Sequence, residues 1–275
     1  MKRAFMILTA FSTVTAFTAA ALAADTVVEP LYTKSAQRVS GLVFDAYVSH
    51  YQGRGFEEID DVDATELRID LTVPISARGQ LRLSLPFHTD GDGRRIENGK
   101  STAIDGNGGT FDFASATYEH QFMDVAEDKF NLMAYAGLGF RADKLDTSHG
   151  DYMNHRGSLA RAGVRMDRAV SSSMSLSSDI GYQHYWDTDD LDPSGENRVS
   201  FGHLLVSVAV MKHDLALKPA LELTYRGDLV DYNNFQIIPE LIYSFKSVDL
   251  KIGVPVGLSS DADDYGVTLG FTYRM

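Results

Sequence analysis

Charged side chains recur at every second position of ELRID: Glu66, Arg68 and Asp70, with Thr72 continuing the row. The stretch GQLRLSL repeats the arrangement with Gln80, Arg82 and Ser84. A spacing of two places such residues on one side of an extended chain. Glu119, Arg141, Arg161, Arg165, Glu222, Arg226 and Glu240 fall on the same kind of row further along. Charges at this density cannot sit unpaired in a dry interior; they need water, one another, or a charged solute. Two chemistries remain open. One is a salt-bridge network that stiffens a wall; the other is a water-filled pore whose charges sort solutes by sign and size. Arg68, Arg82, Arg141, Arg161 and Arg165 are expected to form a basic wall opposite Glu222 and Glu240.

Catalysis needs groups that can touch, and the histidines do not supply them. His203 and Ser207 share a face but stand four residues apart, beyond hydrogen-bond reach on a strand. His184 has Asp187 and Asp189 nearby, and His149 and His155 flank Asp146 and Asp151, spacings too loose to define a site. Asp90-Gly91-Asp92-Gly93 begins like a calcium loop, but Arg94 stands where an oxygen ligand is needed. No enzyme, metal centre or cofactor is expected.

The elements that carry the charged rows alternate in character. The final stretch, YGVTLGFTYRM, is apolar or aromatic at Tyr265, Val267, Leu269, Phe271, Tyr273 and Met275, and small or polar between them. Similar period-two segments span about 41–51, 65–75, 79–88, 111–122, 129–142, 157–168, 174–186, 198–211, 215–227, 234–246, 248–258 and 265–275. No sustained helical stripe interrupts them. Links between segments alternate in length: GRGFEEIDDVDA is followed by the short SAR, and DTDDLDPSGEN by the short HD. Aromatics favour the strand ends, with Phe87, Phe140, Trp186, Tyr225, Phe235 and Tyr265 towards one rim and Phe122, Tyr243, Phe245 and Tyr273 towards the other. Short turns at one rim, long loops at the other and two aromatic girdles describe a transmembrane barrel. The fold expected is all-β, an up-and-down antiparallel barrel of about 12 strands spanning residues 41–275.

The chain opens with MKRAFMILTAFSTVTAFTAAALAAD, two basic residues and an apolar run ending in Ala21-Leu22-Ala23. That is the pattern of a secretory signal peptide over 1–23. Residues 24–40 form an N-terminal segment that either enters the lumen or trails into the periplasm. There is no cysteine, which excludes disulfides, thiolate metal sites and a lipidated N-terminal cysteine. Without Lys2 and Arg3 the charge count is 23 basic against 38 acidic residues, so nucleic acid is not an expected partner.

Two stretches carry a family likeness. ELRIDLTVPISARGQLRLSLPF, with Pro74 and Pro86, and the closing KIGVPVGLSSDADDYGVTLGFTYRM resemble outer-membrane transporters associated with the meta pathway of phenol degradation, a family loosely akin to fatty-acid channels. The resemblance implies a transport-type barrel and assigns no binding residues. The expectation is a monomeric channel in the outer membrane of a Gram-negative bacterium that passes small solutes by diffusion. Its partners would be membrane lipid, lipopolysaccharide and the barrel assembly machinery. A non-transport barrel whose acidic loops bind a partner is the alternative, and a lipid hydrolase is a third.

Overall fold

The computed structural model describes residues 28–275 apart from 57–58, 98–99, 107–109, 112, 125–127, 129, 142–156, 190–197 and 230–231. The strands are β1 (Val43–Phe56), β2 (Ile59–Pro74), β3 (Gly79–Glu97), β4 (Lys100–Gly106), β5 (Thr110–Phe111), β6 (Ala114–Met123), β7 (Asn131–Arg141) and β8 (Gly157–Ser171). They continue with β9 (Met174–Asp189), β10 (Arg198–Lys212), β11 (Leu217–Gly227), β12 (Asn233–Phe245), β13 (Val248–Gly253), β14 (Val256–Gly257) and β15 (Tyr265–Arg274). Neighbours along the wall are antiparallel, and β1 pairs with β15 from Val43 opposite Arg274 to Gln52 opposite Tyr265. The sheet therefore closes on itself and leaves no edge.

The wall has twelve strands once two irregularities are resolved. β4 and β5 pair only with β3 and extend one hairpin beyond the rim. β13 and β14 are one wall strand interrupted at Val254-Pro255, because proline has no N–H to give to the ladder. Pairing resumes in the same register, with Glu240 opposite Gly253 and Ile237 opposite Val256.

Burial is inverted relative to a water-soluble barrel. On β15, Tyr265, Val267 and Leu269 are exposed, while Gly266, Thr268, Gly270, Thr272 and Arg274 are buried. Leu138, Phe140, Val164, Ile180, Leu221, Leu223, Leu241, Leu250 and Ile252 carry the exposed apolar surface around the wall. Such a surface is stable only against another apolar medium. Inside lie Asp45, Asp70, Arg82, Glu119, Arg165, Glu222, Glu240, Asp249 and Arg274, all buried. Of the expected girdle aromatics, Phe122, Phe140, Phe235, Tyr243, Phe245 and Tyr265 are exposed on this outer surface.

The two rims differ, though less simply than the sequence predicts. At the turn rim β12 passes to β13 through only Lys246 and Ser247, Lys246 adopting a φ of 52°. At the opposite rim, much of what reads as loop is paired strand. β1 and β2 remain strand to Phe56 and from Ile59, and β3 pairs with β4 out to Glu97 opposite Lys100. Backbone pairing needs no apolar face, so it outlasts the alternating pattern where the band of Leu and Val stops. The expected loops at 142–156 and most of 187–197 fall outside the described residues.

Candidate functional site: a filled lumen

Residues 28–42 carry no regular structure, and 28–39 run through the barrel's interior. Val28 packs at the turn rim against Met211, Ala220 and Ile242. Leu31, Ala36 and Val39 are buried, and the chain returns to the turn rim to enter β1. It is thus a loop inserted from the rim that holds the short turns, with its apex at Leu31-Tyr32-Thr33.

A segment without a ladder must find partners for its backbone donors elsewhere. The wall supplies them one after another. Leu31 N–H donates to the Glu240 carboxylate at 3.2–3.3 Å; Tyr32 and Thr33 N–H donate to Glu222 at 3.1 and 2.6 Å. Ala36 N–H and the Ser35 hydroxyl donate to Asp167 at 2.7 and 2.5 Å. Arg38 N–H donates to Gln121 Oε1 at 2.9 Å, and Val39 N–H to Gln80 Oε1 at 2.7 Å. Carboxylate oxygens accept from the segment at Leu31, Tyr32, Thr33, Ser35 and Ala36, and amide oxygens at Arg38 and Val39.

Glycines complete the seat. A Cβ on Gly253 would lie 2.5 Å from Leu31 Cδ1, and one on Gly270 2.8 Å from Leu31 Cδ2. Leu31 fills the space these two inward glycines leave. On the far wall Tyr135 plays the same part: a Cβ on Gly163 or Gly181 would meet its hydroxyl at 2.4 or 2.2 Å. Its hydroxyl donates to Asp179 at 2.8 Å.

The segment also carries charge. Glu29 lies 3.6 Å from both Lys34 and Arg82, and Lys34 donates to the Tyr47 hydroxyl at 2.6 Å. Burial pushes Glu29 up, but Arg82 and then Lys34 outweigh it and leave the carboxyl below its ordinary 4.5. Burial lowers Lys34 against the pull of Asp45 and Glu29, and raises Tyr32 to about 12.

The expected wall residues are held in several separate arrangements. Arg82 and Arg165 both grip Glu119, at 3.0 and 2.8 Å, and Arg165 also holds Asp179 at 2.8 Å. Arg68 pairs with Asp70 at 3.4 Å, while Arg161 donates to the hydroxyls of Ser115 and Thr117. Arg82 and Arg165 are therefore interleaved with carboxylates of other strands, Arg68 is paired within its own, and the arginines do not make a single-sign wall. The second departure concerns Glu222 and Glu240: they do not face the arginines as a free acidic ladder but clamp the inserted segment. Arg226 donates to His203 Nδ1 and the Tyr185 hydroxyl at 3.2 and 3.1 Å. Arg141 ends β7 opposite Gly157.

Of the two courses the sequence leaves open for the N-terminal segment, residues 28–39 take the one into the lumen; an aromatic run near the loop rim was not foreseen. Phe113, Tyr185, Phe201, His203 and Tyr232 form successive ring contacts with centroids 4.8–5.2 Å apart. Their signal was parity: Tyr185 shares its face with Asp179 and Gln183, and Phe201 shares His203's. Between this run and the apex of the inserted segment lies a cavity of about 330 Å³.

No protein-family model matches the chain, and no curated protein does. Solved structures match it as folds. The COG4313 outer membrane channel from Pseudomonas putida F1 superposes with a TM-score of 0.62 at 11% identity, covering 90% of this chain and all of that one. The NanC porin gives 0.53 at 10% identity over 84% of this chain and 100% of its own. The translocator domain of the autotransporter NalP from Neisseria meningitidis gives 0.54 at 13% identity, over 86% and 90%. The chain has the closed twelve-stranded architecture of outer-membrane barrels. The likeness lies in the barrel and singles out no phenol-pathway family.

Proposed function

We propose that this chain is an outer-membrane channel for small solutes whose lumen is closed by its own N-terminal segment. The turn rim, with both ends of the barrel and the root of the inserted segment, faces the periplasm. Residues 1–23 act as the export signal, and residues from 24 onward form the mature chain. The single observation that carries the reading is the inside-out barrel around a polypeptide segment that is not part of its wall. Lipid-facing Leu and Val enclose ionic walls that are bridged by a segment with no strand pairing of its own. The lumen residues Arg68, Asp70, Arg82, Glu119, Arg161, Arg165 and Arg226 line the path once that segment is displaced, with Glu222 and Glu240 freed as its acidic side.

Planar-bilayer recording tests this. The full chain is expected to show a small or intermittent conductance, and a variant lacking residues 28–39 a large steady one. If neither passes current at any salt concentration, the channel reading is wrong. A second reading, a non-transport envelope barrel, draws support from the filled lumen itself; it predicts that silence in both recordings.

A further inference from the structure

The cavity between the inserted segment and the loop rim has a composition of its own. Its floor is Leu31 and Tyr32, the apex of the inserted segment, and its walls include Ser49, Thr268, Asn234 and Gln236. At about 330 Å³ it stands at the lower end of the range for small-molecule sites. Two arginines line it, and they are held differently.

Arg68 is the one prepared for an anion. Its guanidinium carbon stacks 4.5 Å over the Tyr47 ring, and its Nε lies 3.4 Å from Asp70. The Nε is buried and makes no hydrogen bond, Asp70 reaching it only as an ion pair, and no hydrogen bond ties the terminal nitrogens to a described residue either. The side chain is 27% exposed, so those terminal N–H groups are what reaches the open space. A planar fork fixed by stacking and left unbonded at its tip fits a carboxylate in two-point contact. Arg226 is oriented by His203 and Tyr185 and adds positive charge to the same cavity.

Opposing charge sets the limit on the guest. Asp179 lines the cavity but already accepts bonds from Arg165 and Tyr135. Glu66 also lines it, two residues from Arg68 on the same face, and it disfavours a second negative charge. Hydroxyl and amide groups around the wall match hydroxyls on a guest, and Tyr32 and Tyr232 add aromatic lining.

We propose that this vestibule binds a monoanionic carboxylate carried on a single six-membered ring, held at Arg68. The inference deepens the channel reading by naming a solute class, and it is tested by binding alone. Titration calorimetry on the full chain in detergent micelles would use galacturonate, benzoate and neutral galactose as probes. Saturable binding of galacturonate or benzoate, absent for galactose and weakened at least tenfold in Arg68→Gln, is the expected result. Which acid binds identifies the source as sugar acid or aromatic acid. Arg68→Lys keeps the charge without the fork and should weaken binding to a similar degree while melting like the parent. The proposal is overturned if neither acid binds, if galactose binds equally well, or if Arg68→Gln and Arg68→Lys both fold and bind like the parent. Conductance without binding would remove this inference and leave the channel; binding without conductance would do the reverse.

Discussion

Glu222 is the residue on which the closed state leans most. It accepts from two consecutive amides, Tyr32 and Thr33, at the point furthest from the rim. Truncating it to Ala leaves both donors buried without that partner, a cost on the order of 3 kcal/mol. At 1.4 kcal/mol per tenfold change, the open fraction should rise by about a hundredfold; single-channel open probability is the readout, and an unchanged value would remove Glu222 from the clamp. Glu29 makes a pH prediction whose sign follows from its surroundings. Arg82, Lys34 and Lys251 favour its charged form and Asp45 opposes it, and its value when seated lies below 4.5. The stability it lends is complete above about pH 4.5 and disappears as the pH falls through the lower seated value. Conductance of the full chain should therefore grow on acidification below pH 4.5, and Glu29→Gln should flatten that part of the response. The charges on Arg82, Glu119 and Arg165 were legible from spacing alone, since parity decides which side of a strand a residue takes. Their pairing was not, because it depends on which strands stand side by side and how far they are staggered.

At the scale of the element, the inserted segment was the least readable part of the chain. Its sequence, VEPLYTKSAQRVSGL, has no period, and its partners lie far away: 209 positions separate Leu31 from Glu240 and 190 separate Tyr32 from Glu222. Strands announced themselves by alternation, yet their ends beyond the apolar band did not, as β3 and β4 show. The glycines of the seat give a direct test of the element. Gly253→Val puts branched carbon where Leu31 Cδ1 sits 2.5 Å from the new Cβ, and it should expel the apex while leaving β13 in place. Protease cleavage within residues 28–40 should become faster in that variant, and conductance should rise with it. Equal cleavage in the variant and parent would show that the Leu31 contact does not hold the segment.

For the molecule as a whole, the outward surface is the prediction. Leu269 is 53% exposed near the middle of β15, opposite Val48 and Ile252. Placing a charge there with Leu269→Arg should destabilise the barrel in lipid by about 2–4 kcal/mol, as expected for a midplane site, measured by reversible unfolding from vesicles. A barrel that was indifferent to this change would not be resting in a bilayer. The number of strands and their inside-out orientation were visible in the sequence because both follow from period and link length. Closure itself rests on β1 meeting β15, a pairing that no local pattern encodes.

The seam where the wall closes also carries the root of the inserted segment. Met275 N–H donates to Leu42 O at 2.8 Å, and a Cβ on Gly41 would fall 2.0 Å from Met275 O. Met275, just past β15, is thus stitched to the root of the inserted segment. Until β15 zips against β1, the root at Gly41-Leu42 lacks this brace and is held only by the bonds of Arg38 and Val39 to the wall, so closing the vessel also tightens its stopper. The downstream leg is anchored by this stitch, the upstream leg by the packing of Val28 on Met211, Ala220 and Ile242.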